Sequence, residues 1–251
     1  MSEAQATGPL IASLPRKAAS ISRADHRFYT IFAWLILASV FFGFARSYYL
    51  KEFFGTPPLA PVFHVHAVIF TTWLVFFVAQ ASLVSSRRIS LHMTLGYAGL
   101  ALAAAMVVVG FMAAVATSRS GHFLSKFAHD PIEAFYANMG DIFVFLMFLI
   151  PAYLLRRRPE AHKRLMLLAT TAGLLPAAIA RWPILHHNGI LTSSTIFAFI
   201  LTGPAYDLVA RRRIHLAYIL GFLLVLLTAP PARIALARTS VAHNLAAWII
   251  R

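Results

Sequence analysis

Seven apolar runs divide this chain, each long enough to cross a lipid bilayer. They lie at 28–50, 62–84, 91–116, 134–155, 163–182, 190–210 and 214–236. About 20 apolar residues in helical form span a hydrocarbon core. Lipid offers no partner to a free backbone N–H or C=O, so each run is read as a helix. The expectation is an all-α, polytopic bundle of seven transmembrane helices over 27–251, preceded by a disordered cytoplasmic tail at 1–26. Proline is placed to bend or end three helices: Pro176 in the fifth, Pro204 after Gly203 in the sixth, and Pro230-Pro231 in the seventh.

Charge supports the same reading. Only 12% of the 251 residues are charged, about half the share in a soluble domain. The 22 Lys and Arg against 8 Asp and Glu would suit nucleic acid if they shared one face. They occur instead as short runs between apolar segments, as topology signals do, so the expected partner is the bilayer and not nucleic acid. The tail together with Arg27, and the loops at 85–90, 156–164 and 211–213, hold four, two, five and three basic residues, against eight on the opposite side. The positive-inside rule then puts the N-terminus in the cytoplasm and the C-terminus outside. Cysteine is absent, which excludes disulfides, thiolate ligands and covalent haem attachment.

Histidine and carboxylate remain as site-forming residues, and most of the histidines fall into two layers. At the outer end, His64 and His66 follow Pro61, which suits the first turn of the second helix. Residues two apart on a helix point about 200° apart, so the two cannot hold one ion from one face. His66, the deeper, is expected to face the bundle. Asp141, in "ANMGDIF", lies about two turns inside the fourth span, and a carboxylate there calls for a partner. Candidates are His64, His66, Arg181 and the pair His186 and His187 in "RWPILHHNGI". Such a nitrogen and oxygen set would suit a transition metal such as iron, zinc or copper. No HExxH or histidine-box motif accompanies it. The plainer reading has interfacial histidines and an Asp141–Arg181 pair.

In the cytoplasmic layer, His92, His162 and His215 each follow an arginine by four residues, in "RISLH", "RPEAH" and "RRRIH". Two of them could hold haem b, with its propionates on arginine. Otherwise they flank basic loops against lipid phosphates. Gln80, Thr71 and Thr72 are expected as interhelical hydrogen-bond partners, Trp73 as packing, and Asp207 as the partner of Arg211 one turn on. The stretch 117–133 reads as an outer loop, a candidate lid.

Three blocks carry a resemblance: "FYTIFAWLILASVFFGFARSYYL", "HVHAVIFTTWLVFFVAQASLV" with "RISLHMTLG", and "HKRLMLLATTAGLLPAAIARWP". From about Arg27 to Ile250 the chain resembles a bacterial family of seven-helix integral membrane proteins to which no activity is assigned. Met93 stands where that family often has a basic residue. The resemblance implies a seven-helix bundle in a bacterial inner membrane and carries over no catalytic residue.

The expected function is a His/Asp site near the outer face, holding a transition metal or haem for redox, metal-dependent or respiratory-assembly work. The alternatives are a proton-coupled small-molecule transporter in which Asp141 titrates, and a scaffold subunit of a membrane complex or homo-oligomer. Whether the protein is an enzyme is left open.

Overall fold

A computed structural model describes residues 16–120, 128–185 and 188–251, the side chains of 16–22 excepted. The described residues are helical almost throughout and include no strand: α1 (Arg16–Phe44), α2 (Pro61–Ser85), α3 (Ile89–Ser120), α4 (Pro131–Leu154), α5 (Pro159–Ile179), α6 (Gly189–Arg211), α7 (Leu216–Leu227), α8 (Pro230–Ala237) and α9 (Ser240–Ile250). A π-helical turn (Ala45–Tyr49) continues α1, and a 3-10 turn (Lys51–Phe54) leads toward α2. Prolines at the first position start α2, α4, α5 and α8, where a missing N–H costs nothing. The Asp130 carboxylate caps α4 by accepting from the N–H groups of Ile132 and Glu133.

Five helices are long and apolar enough to cross a membrane: Arg23–Tyr49, α2, α3, α4 and α6. A sixth is reached if α7 and α8 count as one span bent by 45°. The chain is therefore a multi-pass membrane protein. Large apolar side chains such as Trp34, Phe41, Val68, Tyr97, Val108, Leu154 and Leu227 point outward, as a lipid-facing surface requires and a water-facing one does not.

The fifth apolar run differs from the others. Helix α5 carries Glu160, Lys163 and Arg164 in its first two turns, and twelve of its residues are buried. It packs against α4, α1, α6 and α7 and forms the centre of the bundle. Protein and not lipid surrounds it, so its flanks need not be uniformly apolar. It meets α4 closely at Gly173, where a Cβ would lie 2.7 Å from that of Phe145. A small residue there lets the two backbones meet, as membrane bundles commonly do.

One boundary departs from expectation, and another follows the prolines. Helix α1 begins at Arg16, within the stretch read as a disordered tail, because its polar residues find partners: Asp25 reaches α5 and α6. The seventh run does not continue to 236 as one helix. It breaks after Leu227 and restarts at Pro230, since proline cannot donate within a helix and clashes with the preceding turn. Pro176 and Pro204, by contrast, lie inside α5 and α6.

Candidate functional site

The polar side chains of the bundle gather at its two ends. At one end α1, α5 and α6 bring together three carboxylates and three cations. Arg164 donates to both oxygens of Asp207, at 2.5 and 2.8 Å, and to Glu160 Oε2 at 2.8 Å. Arg164 is 1% exposed and Asp207 0%. Lys163 bridges Asp25 and Glu160 at 2.6 and 2.7 Å. Arg211 pairs with Asp25 and, at 2.9 Å, with Glu160. The Tyr206 hydroxyl donates to Asp25 at 2.7 Å. His215 closes the set: its backbone N–H donates to Asp207, and its Nδ1 caps α7 by accepting from the backbone N–H of Ala217. Arg211 Nε, buried and without a hydrogen-bond partner among the described residues, still lies 3.6 Å from Asp207. Three carboxylates meet three cations, so among the described residues this cluster is close to satisfied from within.

The expected Asp207–Arg211 pair is thus the longer contact; the forked bond goes to Arg164, 43 residues away. Sequence reasoning missed Arg164, counting it with the basic loop. The available signal was Asp207, a carboxylate in an apolar run with only one local counter-charge.

At the opposite end the accounting is different. The Asp141 carboxylate accepts from Arg233 at 2.7 Å, and among the described residues neither Arg181 nor a histidine bonds it. Arg233 also donates to the carbonyls of Ala137 at 2.8 Å and Thr228 at 2.6 Å, tying the α7–α8 break to α4. It lies across Gly140, where any Cβ would overlap its side chain. Arg181, just past α5, donates to the Ala177 carbonyl at 2.5 Å and stacks its guanidinium 4.5 Å from the Phe44 ring centre. It is within electrostatic reach of both Asp141 and His66 but makes no ion pair among the described residues. Two guanidiniums therefore share one carboxylate.

His66 is the inward residue of its pair. It stacks on Phe70 at 4.0 Å, and its Nδ1 is buried with no hydrogen-bond partner among the described residues. His64 turns elsewhere, with its ring 5.7 Å from that of Tyr48. Ser47 Oγ, in the π-helical turn, is also buried and without a hydrogen-bond partner among the described residues. His186 and His187, and residues 121–127 of the candidate lid, lie outside the described residues. Among those described, no three His, Asp or Glu groups converge to hold a metal ion.

Of the three histidines considered for haem, two meet: the His92 and His162 rings are 6.3 Å apart and nearly perpendicular. The His162 Nδ1 is held on the Ala152 carbonyl at 2.8 Å, whereas the His92 Nδ1 is buried and unpartnered. His215 belongs instead to the Asp207 cluster. Gln80, expected to bond a neighbouring helix, is buried with neither amide atom partnered. Thr71 does find an interhelical partner, Tyr49 at 2.6 Å, while Thr72 bonds back to its own helix.

Compared with protein-family models, with curated proteins and with solved structures, the chain finds no match in any of the three.

Proposed function

We propose that this protein is a carrier of small anionic molecules, taken up at the Asp141 end of the bundle. The observation that carries the reading is Arg181: a guanidinium inside a membrane bundle beside a single carboxylate that Arg233 already holds. Intramembrane cations are costly and mark substrate paths. A planar guanidinium fork recognises carboxylate or phosphate. With His66 Nδ1 and Ser47 Oγ nearby in sequence depth and unpartnered, the end offers polar contacts to a bound anion. A metal cation has less to recommend it, because Asp141 would have to leave Arg233 and meet the charge of Arg181.

In this reading α5 and the bent α7–α8 pair both cross the membrane, giving seven spans. The basic Asp207 end faces the cytoplasm of a bacterial inner membrane, by the positive-inside rule, and the Asp141 end faces outward. The anion enters from outside.

The test is thermal stabilisation of the detergent-solubilised full chain by acetate, succinate, lactate and inorganic phosphate. A saturable rise in Tm with at least one probe, lost in Arg181→Gln, is expected. If no probe moves the wild type further than it moves Arg181→Gln, the reading is wrong.

A further inference from the structure

Helices α3 and α5 start side by side at the Asp207 end. Their first-turn imidazoles, His92 and His162, have ring centres 6.3 Å apart. Each imidazole follows an arginine by one turn: the His92 amide bonds the Arg88 carbonyl, and the His162 amide bonds that of Arg158. The loop from α2 to α3 and the loop from α4 to α5 therefore adjoin. Together they hold Arg87, Arg88, Arg156, Arg157 and Arg158, all exposed, and no acidic residue.

These five arginines are not neutralised by the protein. The three carboxylates described at this end, Asp25, Glu160 and Asp207, are all held by Lys163, Arg164 and Arg211. None of the five makes an ion pair among the described residues. Arg156 folds back on Tyr153, its guanidinium 4.3 Å from the ring centre. Like charges gathered on one surface favour an anionic partner.

The surface beside the loops is apolar. Ile89, Met93 and Tyr97 descend from Arg88 in steps of four residues, one stripe along α3, and all three are exposed. Leu154, at the end of α4, is exposed as well. Guanidiniums above exposed hydrocarbon match an amphiphile, whereas a soluble polyanion leaves the stripe uncovered. All five cations are arginine, whose planar fork takes two phosphate oxygens at once. The arginines come in two groups, one per loop. A headgroup with two linked phosphates engages both, and the second contact is then intramolecular.

We propose that these adjoining loops bind a phospholipid whose headgroup carries two phosphates. One phosphate meets Arg87 and Arg88 and the other meets the 156–158 run, with acyl chains along the Ile89, Met93 and Tyr97 stripe. The surface lies at the opposite end from Arg181, so the inference does not rest on anion uptake there.

The full chain, delipidated in detergent, is titrated with diphosphatidylglycerol, with phosphatidylglycerol at equal phosphate, and with inorganic pyrophosphate. Diphosphatidylglycerol is expected to raise Tm by about 5 °C, and phosphatidylglycerol by less than half as much. The double variant Arg88→Gln with Arg158→Gln should lose the rise. Arg212→Gln with Arg213→Gln, which changes exposed arginines of the α6–α7 loop, should keep it. Both variants remove surface side chains without ion pairs, so their lipid-free Tm should stay near that of the wild type. The proposal is overturned if diphosphatidylglycerol does not move the wild type, if phosphatidylglycerol matches it, or if both double variants respond alike. A pyrophosphate rise of equal size that is lost in Arg88→Gln with Arg158→Gln overturns it too, since the ligand is then a free phosphate compound. Arg181→Gln should keep the lipid response, which separates failure here from failure of the anion reading.

Discussion

The two ends of this bundle hold similar residues in opposite states of completion. At the Asp207 end three carboxylates meet three cations and nearly every donor is used. At the Asp141 end two arginines meet one carboxylate, and His66 and Ser47 keep unpartnered atoms. Charge inside a membrane bundle is therefore no guide to function by itself. A network that satisfies itself ties helices together, and one that falls short of satisfaction is where a ligand gains binding energy. The same substitution, carboxylate to neutral residue, should chiefly cost stability at the Asp207 end and chiefly alter anion binding at the Asp141 end.

The largest effect is expected at Asp207. Asp207→Leu leaves Arg164 buried without its forked partner, and breaking a buried pair from one side costs about 3–5 kcal/mol. Replacing both, Arg164→Met with Asp207→Leu, should recover most of that loss, measured by denaturant unfolding in detergent micelles. If the single variant unfolds at the wild-type midpoint, the clamp is not one. Asp25→Asn comes next. It weakens contacts to Lys163, Arg211 and Tyr206 at a partly exposed site, for about 1.5–3 kcal/mol, and should loosen α1 first, visible as faster amide exchange in its N-terminal half.

At the other end Asp141→Asn should cost less, roughly 1 kcal/mol, because Arg233 keeps its two carbonyl acceptors. It should also tighten anion binding several-fold, since the competing carboxylate is gone. Weaker binding in that variant would show that Asp141 contributes to the ligand site and does not compete with it. Gly140→Ala is the mildest change. It displaces Arg233 from α4, and we expect a drop in Tm of a few degrees together with altered anion affinity; unchanged values for both would mean that Arg233 moves aside at no cost.

Much of the architecture is legible without coordinates. The apolar runs mark the helices, and the 200° separation of residues two apart tells that only one of His64 and His66 can face the interior. The break in the seventh run follows from Pro230-Pro231. The start of α1 was not legible, because the polar stretch before residue 27 becomes a helix only through partners on α5 and α6. The expected metal set was legible only as depth: the runs bring His66 and Asp141 to the same end, but they do not say what each one touches.

Sequence by itself determined that the chain crosses a membrane several times, which residues lie toward each end of a run, and that His64 and His66 cannot share a face. These follow from residue hydrophobicity and helical period, which are local properties. Only the tertiary structure decided which charges meet: Asp207 with Arg164 across 43 residues and Asp141 with Arg233 across 92. Depth and facing are set within one helix, whereas a partner depends on which helices pack side by side. That choice is made by the close approach of α4 to α5 at Gly173 and by the bend that swings α8 over Gly140.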